Sequence, residues 1–224
     1  MSDKVIIASA GSGKTTHLVR KALELHGEKV LITTYTDDNA LEIKAKFYEL
    51  NYSIPDYVTV LPWFTFLLQE GVRPYQGVVY KKRISNVCLV NNASAPYVAE
   101  SNFRNHYLSD DETVYSDKLA KLVCKINDLS NSAIITRLEK IYSHIFIDEV
   151  QDLAGYDLSV LELLFSSSIN TLLVGDPRQA TFATNNTLKN KQFKFSNIDD
   201  FFTKKQKANT IEYDTTSLVS LNYC

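Results

Sequence analysis

Three features of the sequence predict an α/β domain built on a parallel sheet. Short β-branched runs alternate with longer amphipathic stretches along most of the 224 residues. A turn of small residues, Ala8-Ser9-Ala10-Gly11-Ser12-Gly13-Lys14-Thr15, stands between the first apolar run and the first amphipathic stretch. Two later apolar runs end in acidic turns, at Asp148 and at Asp176, and ligands of parallel sheets bind at the carboxyl ends of their strands.

The first strand is Val5-Ile6-Ile7. A helix is predicted over 16–26, because Leu18, Val19, Ala22, Leu23 and Leu25 share one face before Gly27 ends the pattern. With the next strand, Val30-Leu31-Ile32-Thr33, this makes one βαβ unit. Further strands are expected at Val58-Thr59-Val60-Leu61, Ile145-Phe146-Ile147 and Thr171-Leu172-Leu173-Val174, and further helices over 39–50 and 158–165. From 69 to 137 the rhythm breaks into Asn-, Ser- and Tyr-rich sequence, with polar Ser109-Asp110-Asp111-Glu112 and a helical pattern over 115–129. This predicts an inserted subdomain, 69–137, within a domain formed by 1–68 and 138–224. The stretch 184–209 reads as a polar tail whose Lys204-Lys205-Gln206-Lys207 is a solvated face, and the chain closes on Ser217-Leu218-Val219-Ser220-Leu221.

Composition narrows the function classes. At 45% hydrophobic and 22% charged residues the chain has the make-up of a soluble globular fold. Its formal charge of -2 carries no overall polyanion signal, so a nucleic-acid surface has to be a local patch. Cys88, Cys124 and Cys224 lie far apart with no CxxC pair, which predicts reduced thiols and neither a zinc site nor a disulfide scaffold. No apolar run reaches membrane-spanning length and the small-residue turn follows Met1 too closely for a signal peptide, so no membrane partner and a cytoplasmic location are expected.

The chemistry lies at the strand ends. Gly11, Ser12 and Gly13 allow successive backbone N–H groups to turn inward on phosphates, and the following helix offers its N-terminus to the same anion. Ala8 to Thr15, with Thr16 behind them, therefore predict a nucleoside triphosphate site in which Lys14 reaches the β and γ phosphates and Thr15 takes a coordination position on Mg2+. Ala8 stands where the first glycine is commonest, which is acceptable if its φ is negative. In Ile147-Asp148-Glu149-Val150-Gln151-Asp152, Asp148 is suited to hold the magnesium and Glu149 to deprotonate an attacking water. In Gly175-Asp176-Pro177-Arg178-Gln179, Gln179 could sense the γ-phosphate; the alternative is an ordinary strand-to-turn exit.

Together these motifs resemble the nucleotide-binding core of superfamily 1 DNA helicases of the UvrD/Rep type. The resemblance implies a RecA-like P-loop sheet flanked by helices, ATP with Mg2+ as cofactor, and Gln151 as the link between the nucleotide site and the DNA-binding parts. It implies DNA contacts for Thr34, Tyr35 and Thr36 after the second strand, and for the aromatic cluster around Trp63 and Phe64, whose alternative role is core packing. Phe182 matches only an aromatic of the family's next DNA motif, and the basic group Lys81-Lys82-Arg83 falls in the insertion that the family places beside DNA.

Two departures bear on function. The family's adenine-reading glutamine motif has no room before the phosphate loop, and Cys224 of Leu221-Asn222-Tyr223-Cys224 stands where the family has an arginine that leads into a second motor domain. The resulting expectation is the first motor domain of an ATP-dependent helicase or translocase acting on single-stranded or partly duplex DNA, with a partner chain able to supply the second half. A nucleotide-driven switch without unwinding is the alternative. A nucleotide kinase would lack Asp148-Glu149-Val150-Gln151 and want a lid of arginines.

Overall fold

The computed structural model describes residues 3–9, 11–179, 189–193 and 197–214, with the backbone alone at 179 and 191. The strands are β1 (Lys4–Ile7), β2 (Val30–Thr34), β3 (Val58–Pro62), β4 (Asn86–Cys88), β5 (Thr113–Tyr115), β6 (His144–Ile147), β7 (Asn170–Gly175) and β8 (Glu212–Asp214). Six of them form one sheet in the order β3-β2-β6-β7-β1-β8, every neighbouring pair parallel, while β4 and β5 pair separately.

Consecutive strand residues point to opposite faces, and both faces are covered, which is why these runs are almost continuously apolar. Val5, Leu31, Ile145 and Leu173 join one core cluster, and Ile6, Ile32, Phe146 and Leu172 join the other. The second cluster is completed by Leu18, Val19 and Ala22 of α1 (Lys14–Glu24) and by Ala40, Ile43 and Phe47 of α2 (Asp37–Asn51).

The first cluster takes in the remaining helices. These are α3 (Trp63–Phe66), which runs on as a π-helix over Leu67–Val72, α4 (Phe103–Tyr107), α5 (Ser116–Leu129), α6 (Ala133–Ile141), α7 (Tyr156–Phe165) and α8 (Ile198–Lys207). Leu119, Leu122 and Val123 of α5 thus share a continuous core with the sheet residues Val5 and Ile145. The π-helix approaches α5 closely at Gly71, where an added Cβ would lie 2.7 Å from Val123 Cγ2.

The predicted order of elements holds, with local differences that have local causes. Helix α2 begins at Asp37 because the Thr36 hydroxyl accepts from Asn39 N at 3.1 Å and Asp37 and Asp38 occupy the positive first turn. The reading of 184–209 as a polar tail is corrected over its second half. Ile198, Phe201 and Phe202 recur at helical spacing and are buried, so α8 packs on the core, and β8 beyond it adds a sixth strand beside β1. Two lysines of the run, Lys204 and Lys207, are exposed, whereas Lys205 pairs with Glu162 at 2.6 Å. The parts of that tail at 184–188 and 194–196, and the closing run at 217–221, lie outside the described residues. Among the described residues no helix is long and apolar enough to cross a membrane.

Candidate active site

The carboxyl ends of β1, β6 and β7 are neighbours, so the three turns marked in the sequence meet along one edge of the sheet. Ala8 leaves β1 buried, its N–H donating to Gly175 O at 3.0 Å. It is not among the seven described non-glycine residues with positive φ, so the missing glycine costs no strain there. Gly11 (φ 70) and Gly13 (φ 81) do adopt left-handed backbone and turn the loop onto the N-terminus of α1; Ala10 lies outside the described residues. Lys14 is buried, and its ammonium donates to the carbonyl oxygens of Ala8 at 3.1 Å and Ser9 at 3.2 Å. The Ser12 hydroxyl is buried without a hydrogen-bond partner among the described residues. Thr15 and Thr16 fall in the first turn of α1.

Asp148 follows β6 and is anchored through its N–H to Thr33 O at 2.9 Å. Its carboxylate accepts from the Thr15 hydroxyl at 2.9 Å and from Glu149 N at 2.9 Å. Burial first, and then the neighbouring Glu149 charge, push the Asp148 carboxyl up to about 6. Glu149 sits at φ 54, a left-handed conformation that costs a non-glycine residue about 1–2 kcal/mol and is held here by its surroundings. Its carboxylate accepts a short hydrogen bond from Gln151 Nε2, and Gln151 Oε1 accepts from Asp176 N at 2.9 Å. Gln151 therefore joins the acidic turn after β6 to the one after β7.

That bridge depends on Gly175, which the sequence reading did not single out. A Cβ there would run into Gln151 Oε1 and lie 2.9 Å from Val150 Cγ1. Gly175→Ala is expected to displace Gln151 and to lower stability by about 1–3 kcal/mol, read as a lower denaturation midpoint. Asp176 is buried and accepts from Arg178 N and Nε, both at 3.2 Å. Gln179 closes a short 3-10 turn, Pro177–Gln179, and its side chain lies outside the described residues.

These residues fit a magnesium-bound triphosphate. The Thr15 hydroxyl and the Asp148 carboxylate are hard oxygen donors already within hydrogen-bond distance of each other. A buried ammonium and an unpartnered buried hydroxyl border the glycine-turned loop.

Compared with known protein families, the chain matches the model described as UvrD/REP helicase N-terminal domain over residues 1–66 and 75–196. The chain belongs to that family. No curated protein sequence matches it.

In this UvrD/REP helicase domain the segments expected to meet DNA border a groove of about 480 Å³ beside the nucleotide edge. Tyr35, Thr36 and Phe64 line it, with the Tyr35 and Phe64 rings edge to face at 5.8 Å between centroids. Thr34 is buried at the end of β2, and the Thr36 hydroxyl is occupied in capping α2. Trp63 is only 1% exposed, and its indole N–H donates to the buried Asp157 carboxylate at 2.8 Å. Stacking of a base on Trp63 would require breaking that bond and opening the core. The aromatic cluster is thus divided, Trp63 packing inward while Phe64 lines the groove. Phe182 lies outside the described residues. Asp157 escaped the sequence reading because a carboxylate in the first turn of a helix ordinarily faces water.

Proposed function

We propose that this domain binds ATP with Mg2+ and hydrolyses it to ADP and phosphate, water attacking the γ-phosphate as its bond to the β-phosphate oxygen breaks, coupled to single-stranded DNA in the Tyr35–Phe64 groove. The observation that carries the reading is the meeting of the Thr15 hydroxyl and the Asp148 carboxylate at 2.9 Å beside Glu149, at the carboxyl edge of a parallel sheet. Lys14, the loop amides of 11–14 and the N-terminus of α1 bind and orient the phosphates. Thr15 and Asp148 would hold the metal, which when bound would supply neutralisation of the charge on the phosphates. Glu149 accepts the proton of the water, its carboxylate oriented by the Gln151 amide. Gln151 and Gln179 are the residues through which the nucleotide's state reaches the rest of the molecule, and 69–137 is the inserted subdomain that borders the strand.

The test is binding of a labelled oligothymidylate with and without a non-hydrolysable ATP analogue, alongside the ATPase rate with and without that oligonucleotide. Oligonucleotide affinity is expected to change about fivefold or more on nucleotide binding, with hydrolysis accelerated by DNA. Nucleotide binding that leaves DNA affinity and rate untouched would contradict the coupled reading and favour a nucleotide switch directed at another partner.

A further inference from the structure

A separate cavity of about 500 Å³ lies at the N-terminal turns of α5 and α7, with Asp117, Lys118 and Lys121 of the one and Tyr156 of the other in its wall. Both helices pack on the sheet face opposite α1, and the cavity shares no lining residue with the Tyr35–Phe64 groove or the phosphate loop. Its walls are fixed. The Asp117 carboxylate accepts from Ser94 N at 2.9 Å and from Ser94 Oγ at 2.7 Å, which fastens the loop that carries Pro96 across the start of α5. His106 Nδ1 donates to Val98 O at 2.7 Å, and Asn190 Nδ2 donates to Gly155 O at 2.8 Å, which sets Lys189 beside Tyr156.

Charge decides what this cavity can hold. Lys118 is only 7% exposed, and its ammonium donates to His106 O at 2.8 Å without an ion-pair partner among the described residues. An ammonium has three donors, and a lysine this buried is ordinarily paired. Burial lowers the Lys118 pKa, a desolvation that a bound anion would offset. Lys121, one turn along α5, and the exposed Lys189 bring two further ammonium groups. Lys121 shares Glu100 with Lys125, at 2.7 and 2.8 Å. Asp117 is the single carboxylate of the described lining, and Ser94 already engages both its oxygens. Burial also lowers the His106 pKa, so at neutral pH the positive charge here comes from lysine.

We propose that this cavity binds a small phosphorylated molecule, with its phosphate on Lys118 and Lys121 and its body against Tyr156 and Pro96. A phosphate monoester carries about -1.5 to -2 charges at pH 7, enough to engage two ammonium groups where a monocarboxylate would leave one unpaired. The described lining contains no arginine, whose planar fork suits carboxylates, and lysine binds phosphate as a point charge. The volume is that of a small-molecule site. Lys118, already held by the His106 carbonyl, loses little conformational freedom on binding. The proposal does not rest on the ATP or DNA readings.

The experiment is isothermal titration calorimetry of inorganic pyrophosphate, without magnesium, into the whole chain carrying Lys14→Ala, so that the phosphate loop contributes little. Binding at a single site is expected. Adding Lys118→Met should weaken it about tenfold or more, the loss of one charge-assisted hydrogen bond. Adding Lys189→Glu, at an exposed position, should weaken it about threefold or more, and adding Lys204→Ala/Lys207→Ala on α8 should leave it unchanged. Melting temperatures equal to the Lys14→Ala parent verify folding, and Lys189→Glu decides the matter if the buried Lys118→Met melts early. No binding to the folded Lys14→Ala chain overturns the site, as does unchanged binding in Lys189→Glu and in a folded Lys118→Met. Displacement of the pyrophosphate by an oligothymidylate would assign the cavity to nucleic acid and overturn the small-molecule reading.

Discussion

Lys14→Ala is expected to weaken ATP binding about 100-fold or more while leaving the fold intact. The ammonium is buried and is already desolvated against the carbonyl oxygens of Ala8 and Ser9. A hydrogen bond to a charged group contributes about 1.5–3 kcal/mol, and about 1.4 kcal/mol is a factor of ten in affinity. Losing two phosphate contacts from such a site therefore predicts a change of at least that size. Little stability should be lost, since the substitution removes a buried charge and leaves behind two carbonyls at the mouth of the loop. The measurement is a fluorescent-nucleotide Kd together with a melting temperature. An unchanged Kd would remove the basis for assigning phosphate binding to this loop.

Glu149→Gln should separate binding from chemistry. Glutamine keeps an oxygen that can accept from Gln151 Nε2, so the bridge to Asp176 N and the left-handed turn are retained. It cannot take a proton from water. General-base catalysis contributes about a hundred-fold to ten-thousand-fold, so hydrolysis is expected to drop by that range while ATP affinity stays within a factor of about three. Turnover at the wild-type rate in this variant would show that another group activates the water. Asp148 is the residue against which to compare it, because its carboxylate is engaged by the Thr15 hydroxyl and its removal should instead weaken the dependence on magnesium.

The parts of the site that were legible in the sequence are those set by short chain segments. Gly11, Gly13, Lys14 and Thr15 are consecutive or nearly so, and their backbone requirement is local. Asp148 was legible because an apolar strand immediately precedes it, and a strand in a parallel sheet delivers its next residues to the ligand edge. The groove was legible only in part. Trp63 and Phe64 are neighbours of similar chemistry, yet one donates to Asp157, 94 positions along the chain, and the other lines the surface. No local pattern separates them, because the decision is made by where α7 lies. The helix α8 was hidden for a different reason: Ile198, Phe201 and Phe202 are a correct but brief helical face, flanked by charged residues that suggest a solvated tail.

What the sequence by itself determined is the alternation of strand and helix, the faces buried on each strand, and the residue types gathered at three strand ends. Periodicity and glycine conformation are properties of a few adjacent residues, and they hold whatever the rest of the chain does. Only the tertiary structure decided that Thr15 meets Asp148 across the end of β7, that Gln151 spans from Glu149 to Asp176, and that Trp63 turns inward onto Asp157. Each of these is a contact between segments far apart in the chain. Its geometry is set by strand order and by the packing of the helices on the sheet, neither of which leaves a periodic trace in the residues that make the contact.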